Sequence, residues 1–276
     1  MIEIPESTTI SRQSETILSG KRIKEVVQAT SPHKFTWYNG DPLLYSDMLV
    51  GRKIESVRGH GAYIDILCDN DTYISIGDGT NLKYYPAIEK HPAKHQLLIV
   101  FDDGSFIAFT VSMYGAIFAY TGEMDNFYHR NSLNSISPLD DAFDKAYFDN
   151  IFKSVKKDIS IKALLATEQR IPGLGNGVLQ DILFNAGIHP KRKISTLSDL
   201  EKEDLYHCLK VTLQSMTDKG GRDTEKDFYG NYGKYKCLLS KNTYKEPCPN
   251  CGGNIIKEAY LGGTIYYCPS CQQEKI

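Results

Sequence analysis

Four cysteines near the C-terminus have the spacing of a metal site. Cys248-Pro-Asn-Cys251 and Cys268-Pro-Ser-Cys271 are two Cys-x-x-Cys pairs separated by 16 residues. Each pair turns two sulfurs toward one point, and the two pairs supply the four thiolates that tetrahedral Zn²⁺ takes. Gly252-Gly253 and Gly262-Gly263, with β-prone Tyr260, Ile265, Tyr266 and Tyr267 nearby, read as a hairpin that returns the second pair to the first. Disulfides or four separate thiols are the other readings, but a stretch this short has little core and zinc would supply its folding energy. Zn²⁺ is therefore the expected cofactor, with Cys248, Cys251, Cys268 and Cys271 as ligands. The remaining cysteines, Cys68, Cys208 and Cys237, lack such partners, and Cys68, after the strand-like run 63–67, is expected in the core.

A second chemistry-bearing segment is Arg170-Ile-Pro-Gly-Leu-Gly-Asn176-Gly-Val, a glycine-rich turn opening into a helix. Unpaired backbone N–H groups at such a helix start form an anion site. Gly173, Gly175 and Gly177 allow close approach, and Asn176 adds a side-chain donor. Lys153, Lys156, Lys157 and Lys162 precede the turn, and Lys191, Arg192 and Lys193 follow it. An ordinary helix cap is the bland reading. Basic flanks and a downstream zinc hairpin favour nucleic acid, with Lys162 and Asn176 as phosphate contacts.

The elements that must position these residues are legible from pattern. Pro5 followed by Glu6 reads as a helix start, with the helix running to about residue 20. From about 21 to 120 the apolar residues alternate with period two, through 54–57, 63–67, 73–76, 97–101, 106–111 and 116–120. Asp69-Asn70-Asp71 and Asp102-Asp103-Gly104 separate neighbouring runs, so antiparallel hairpins in a sandwich or barrel are expected. After Thr121 the chain turns polar, and 139–153, 161–167, 177–186 and 198–217 have helical spacing. Ser198-Asp-Leu-Glu201 has the form of a capping box. Strands followed by helices indicate an α+β protein.

Composition narrows the class. The chain has 276 residues, 41% hydrophobic, with 22 Gly and 11 Pro, which excludes collagen-like, disordered and coiled-coil classes. No apolar run reaches the roughly 20 residues of a membrane span, and the acidic N-terminus does not resemble a signal peptide. A cytoplasmic protein with no membrane partner is expected. The formal net charge of −2 conceals an asymmetry. Residues 1–150 carry 13 Lys+Arg against 20 Asp+Glu, whereas residues 151–276 carry 19 against 14. An acidic β-rich half is joined to a basic half that holds the candidate nucleic-acid elements.

Taken in order, these segments resemble one family. An N-terminal Met-x-Glu-x-Pro-Glu and a β-rich half are followed by Ile161-Lys-Ala-Leu-Leu and Pro172-Gly-Leu-Gly-Asn176. Ile182-Leu-Phe-x-Ala-Gly-Ile-His189-Pro190, Lys219-Gly-Gly and the four-cysteine hairpin complete the set. The whole chain is similar to the formamidopyrimidine-DNA glycosylase / endonuclease VIII family. The resemblance implies a β-sandwich lobe (1–125), a helix–two-turns–helix DNA-binding domain (135–222) and a zinc finger (235–276). It implies a monomer that clamps damaged double-stranded DNA and flips the lesion base from the stack, in the cytoplasm or on a bacterial nucleoid. In such enzymes an N-terminal proline amine attacks C1′ of the lesion sugar, giving a Schiff base, and elimination cleaves the strand.

Glu3 would then match the proton-shuttling carboxylate, Glu6 its supporting carboxylate and Asn176 the phosphate-binding asparagine. Tyr114 keeps an aromatic where a wedge belongs. The sequence departs from the family at four places. Ile2 replaces the proline, which should retain Met1 and make its amine the candidate nucleophile, displaced by one residue from where Glu3 expects it. Ala62 and Ser112 stand where the family has a Lys and an Arg, and the hairpin tip 261–264 has no Arg. The expected function is a DNA glycosylase with abasic-site lyase activity in base-excision repair. A catalytically silent binder of damaged or distorted DNA is the alternative, and an RNA-binding zinc protein a third.

Overall fold

The computed structural model describes residues 1–77 and 79–274. Helix α1 (Ile4–Leu18) begins directly after Glu3, whose N–H donates to the Glu6 carboxylate at 3.3 Å, with Pro5 in the first turn. Then come β1 (Ile23–Gln28), β2 (Thr36–Tyr38), the short α2 (Tyr45–Leu49), β3 (Ile54–His60), β4 (Tyr63–Cys68), β5 (Thr72–Gly77) and β6 (Thr80–Tyr85). β7 (Leu97–Phe101), β8 (Phe106–Val111) and β9 (Gly115–Thr121) complete the first lobe. The helical part comprises α3 (Phe127–Asn134), α4 (Lys145–Lys153), α5 (Ile161–Ala166), α6 (Asn176–Asn185) and α7 (Asp199–Asp218). The hairpin β10 (Ile256–Tyr260) and β11 (Gly263–Tyr267) follows.

The first lobe has two sheets, ordered β1-β7-β8-β6 and β2-β9-β5-β4-β3. The alternation seen in the sequence decides which side of each strand is buried. Ile64, Ile66, Ile74, Ile76 and Ile117 of one sheet share a core with Leu82, Leu97, Ile99, Phe101, Ile107 and Phe109 of the other. Ile10 and Leu18 of α1 join it, as do Ile2 and the fully buried Cys68. The β4–β5 turn falls at the acidic turn signal, where Asn70 and Asp71 adopt left-handed φ of 56° and 55°. One pairing differs from the expected all-antiparallel pattern: β2 lies parallel to β9 along the sheet edge. Parallel neighbours need a long connection rather than a hairpin, and local alternation carries no record of that.

The second core gathers around α6 and α7, including Val178, Leu179, Ile182, Leu205, Leu209, Leu213 and Met216. Ile4 of α1 belongs to it, so α1 contributes to both cores. The capping box opens α7: Ser198 Oγ accepts the Glu201 N–H at 3.2 Å, and the Glu201 carboxylate accepts the Ser198 N–H at 2.9 Å. Expected helix 139–153 is shorter than its spacing implied. Asp144 caps it by accepting the Tyr147 N–H at 2.7 Å, and residues 139–144 form turns instead. Helix α3, unmarked by any apolar periodicity strong enough to read, packs beside the five-stranded sheet.

The C-terminal hairpin is paired from Ile256↔Tyr267 to Tyr260↔Gly263. It docks on α6 through Gln180, whose Nε2 donates to the Thr264 carbonyl at 3.0 Å and whose Oε1 accepts the Tyr266 N–H at 3.1 Å. Among the described residues, no helix is long and apolar enough to cross a membrane.

The buried stripe of α7 makes a direct prediction. Leu213→Ala should lower stability by about 2–5 kcal/mol, because the side chain is fully buried between helices. Val211→Ala, on the opposite and half-exposed face, should change it by no more than about 0.5 kcal/mol. Urea unfolding of the two variants beside the parent chain measures both.

Candidate active site and nucleic-acid interface

The glycine-rich turn, the start of α1 and the loop after α7 meet at one buried point. The Ile4 N–H donates to the Gly173 carbonyl at 3.0 Å, fixing the beginning of α1 on the turn. Gly173 has φ of 79° and lies so close to Gly61, in the β3–β4 turn, that a Cβ there would run into backbone. The helix N-terminus of α6 is the anion site that the turn implies, but its occupant comes from within the chain. Glu3 accepts the N–H groups of Gly177 and Val178 at 2.9 and 2.8 Å. A Cβ on Gly175 would sit 2.6 Å from Glu3 Oε1, and one on Gly177 would collide with Arg222. These glycines therefore admit Glu3 and Arg222, not an external phosphate.

Arg222 supplies the counter-charge. Its Nε and backbone N–H donate to Glu6 Oε1 at 3.0 and 3.1 Å, and its Nη2 donates to Glu6 Oε2 at 2.7 Å. Nη1 lies 3.4 Å from Glu3 Oε2. Glu3, Glu6 and Arg222 are 3%, 4% and 2% exposed, so two carboxylates share one guanidinium almost out of water. Burial is the largest influence on the Glu3 carboxyl and pushes it up. Arg222 pulls it down, Glu6 pushes it up again and the two N–H groups pull it down, with an upward net direction. Burial alone would lower the Arg222 guanidinium, but both carboxylates more than offset this and it is held well above its usual range.

The terminal amine of Met1 forms an ion pair with Glu225. It does so at a cavity of about 440 Å³ between the four-stranded sheet and residues 224–232, lined by Met1, Ile2, Glu6, Lys83, Glu225 and Tyr232 among others. Ile2 is buried in the first core and anchors this end of the chain. Tyr114, in the β8–β9 turn, packs against the half-exposed Trp37 at 5.9 Å, and its hydroxyl reaches Met1 Sδ at 3.8 Å. Arg222 and Glu225 were not singled out from sequence. They lie in a Lys-, Asp- and Tyr-rich loop whose only distinguishing signal is a run of charges directly after Gly220-Gly221.

Asn176 opens α6 and lies against the hairpin tip, where Gly263 makes room for its amide. Its Oδ1 is buried with no hydrogen-bond partner among the described residues. A cleft of about 230 Å³ beside it is lined by Gly177, Gln180, Lys241 and Thr264. The basic flanks need correction. Lys162, expected as a phosphate contact, is 1% exposed, donates to the Tyr260 carbonyl and lies over the Tyr260 ring. Burial lowers its pKa, and its stem fills space between α5 and the hairpin. Arg192 is likewise buried in a bidentate pair with Glu201 at 2.6 and 2.8 Å, and Lys191 pairs with Glu258. Lys153, Lys156 and Lys157 remain exposed.

The four C-terminal cysteines converge. Their sulfurs all lie within 4.8 Å of one another, with Cys248 to Cys271 at 3.7 Å and Cys251 to Cys268 at 3.5 Å. Four sulfurs bound at about 2.3 Å in a tetrahedron are about 3.8 Å apart, so the donor set fits zinc. The same separations are far beyond the roughly 2.05 Å of a disulfide.

Removing the guanidinium should expose how conditional the buried triad is. Arg222→Met strands two carboxylates and should cost about 3–5 kcal/mol in urea unfolding, while Arg222→Met combined with Glu6→Gln should recover part of that loss.

Residues 135–227 match the model of the formamidopyrimidine-DNA glycosylase H2TH domain. A formamidopyrimidine-DNA glycosylase of Geobacillus kaustophilus is 29% identical over 285 residues, covering 99% of this chain and 100% of the relative. One of Heliobacterium modesticaldum is 29% identical over 282 residues, with the same coverage. The fold superimposes on MutM (Fpg) of Thermus thermophilus with a TM-score of 0.80 at 22% identity, covering 99% of this chain and 100% of that one. It superimposes on Lactococcus lactis Fpg in complex with DNA containing an abasic site with a TM-score of 0.83 at 23% identity, covering 98% and 99%. The likeness runs from end to end and is not confined to the helical segment: along its whole length the chain is similar to formamidopyrimidine-DNA glycosylases.

Proposed function

We propose that this chain is a DNA glycosylase of base-excision repair, with abasic-site lyase activity on damaged double-stranded DNA. The observation that carries the reading is the Met1 amine at the mouth of a cavity, with Glu3 and Glu6 fixed behind it by Arg222. The flipped lesion nucleotide enters this cavity. Glu225 accepts a proton from the Met1 ammonium, and the freed nitrogen attacks C1′. The C1′–base bond breaks, and the base leaves with the electron pair and takes up a proton. Opening of the sugar and loss of the second amine proton give a Schiff base, from which removal of a C2′ proton breaks the C3′–O bond. Glu3 takes up that second amine proton and returns it to the opening sugar. Glu6 holds Arg222 and through it the position of Glu3.

The rest of the surface grips the duplex. Asn176 and Lys241, beside the cleft between α6 and the hairpin, take phosphate oxygens, and Lys153, Lys156 and Lys157 add unpaired charge. Tyr114 fills the space the flipped nucleotide vacates. Cys248, Cys251, Cys268 and Cys271 hold Zn²⁺, which stabilises a hairpin that has only a small core of its own. Lys162 acts through the hairpin it supports and does not touch DNA.

A catalytically silent binder of damaged DNA is a second reading. It is favoured by the amine's ion pair with Glu225 and by the engagement of Glu3 with α6.

Borohydride trapping on a duplex with a central abasic site, and on duplexes with oxidised bases, separates the two. A covalent adduct at the N-terminal residue is expected, with intact mass showing Met1 retained. Glu3→Gln should reduce adduct and cleavage by about 100-fold or more while leaving salt-dependent binding in place. Tight binding with no adduct on any of these substrates would leave only the silent binder.

A further inference from the structure

The outer face of the five-stranded sheet holds a polar cluster that the repair chemistry does not use. His60 ends β3, Asp65 lies in β4 and His129 is in the first turn of α3. Asp65 Oδ2 is 2.9 Å from His60 Nε2 and 2.9 Å from His129 Nε2, and Oδ1 is 3.0 Å from His129 Nε2. One ligand atom from each residue lies within 4.8 Å of the others. All three side chains are largely withdrawn from solvent, at 14%, 11% and 5% exposure. Aromatic rings fix their orientation: Tyr63 stacks on His60 at 5.7 Å and 15°, and meets His129 edge-on at 5.1 Å. A cavity of about 520 Å³ lies over the cluster, lined also by Arg58, Tyr73 and Tyr120.

Hydrogen bonding around His60 calls for a cation. Ser132 Oγ, one turn along α3 from His129, is 3.0 Å from the His60 carbonyl oxygen and 3.0 Å from His60 Nδ1. A hydroxyl has one hydrogen. If it goes to the carbonyl, Nδ1 carries the ring proton and donates to Oγ, which leaves the Nε2 lone pair facing a carboxylate oxygen at 2.9 Å. If it goes to Nδ1, the hydroxyl and carbonyl oxygens face each other without a hydrogen between them. A positive charge at Nε2 removes the conflict, and either a proton or a metal ion supplies it. A separation of 2.9 Å suits a proton and a metal alike, and the convergence of two imidazoles and one carboxylate beneath an open cavity favours the metal. Donors bound at about 2.0–2.1 Å are about 2.9 Å apart in an octahedral shell and about 3.4 Å apart in a tetrahedral one, and the three ligand atoms lie within 4.8 Å of one another, so they can close on one ion. A metal-binding histidine also donates its other ring N–H to a fixed acceptor, which is the part Ser132 plays for His60.

We infer that His60, Asp65 and His129 bind a divalent first-row transition-metal ion, separate from the four-cysteine cluster, with further coordination positions open to the cavity. Two imidazoles and one carboxylate suit Zn²⁺ and Fe²⁺ alike, and disfavour Ca²⁺ and Mg²⁺, which take oxygen.

The full-length chain is equilibrated with Zn²⁺, or anaerobically with Fe²⁺, gel-filtered and assayed for metal by mass spectrometry. The parent should carry one equivalent more than Asp65→Asn and one more than His129→Asn with at least one of these ions. Titration of the parent with Co²⁺ gives a readout that needs no variant. It should add ligand-field bands without the thiolate charge-transfer absorption of a cysteine site. Equal metal content in parent and variants with both ions would overturn the site, as would Co²⁺ spectra showing thiolate-bound metal alone.

Discussion

A single buried ion cluster ties together segments that are far apart in the chain. Glu3 and Glu6 belong to the first turn of α1, and Arg222 follows α7 more than two hundred residues later. Glu3 also caps α6. None of these groups has enough water around it to be solvated alone, so each is tolerable only while the others are in place. That mutual dependence sets the approach of the lobes. It requires Gly173, Gly175 and Gly177 at the contact, and it places the chain terminus at the edge of the cavity beneath residues 224–232. The position of the amine is thus a consequence of charge burial, with Ile2 as the apolar anchor beside it.

Charge burial also alters the meaning of the basic half. Its excess of Lys and Arg is real, but several of the cations that flank the glycine-rich turn are directed inward. Lys162, Lys191 and Arg192 bind the hairpin or the start of α7 to the helical core. What remains exposed is a narrower set: Lys153, Lys156 and Lys157 ahead of α5, Lys193 after α6, and Lys241. A charge count over a segment measures potential partners, and the fold decides which of them are inside the molecule.

Much of the fold was legible because its determinants are local. The period-two runs became the strands of a two-sheet lobe, the Ser198–Glu201 capping box starts α7, and the acidic turn signal falls between β4 and β5. Elements that depend on distant partners were not legible. β2 is three residues long and is held by a parallel edge pairing, and α3 lacks a periodic apolar face. Arg222 and the His60–Asp65–His129 cluster left no sequence pattern, since their members meet only across the fold.

The sequence by itself determined the four-cysteine set of the hairpin, the order of strands before helices and the resemblance of Glu3, Glu6 and Asn176 to a repair-enzyme site. Cysteine spacing, side-chain periodicity and cap chemistry act within a few residues, so they survive reading in one dimension. Only the tertiary structure decided that the α6 anion site receives Glu3, that Lys162 supports a hairpin and that two histidines converge on Asp65. Desolvation and Coulomb pairing depend on where water is excluded, and that is a property of the packed chain.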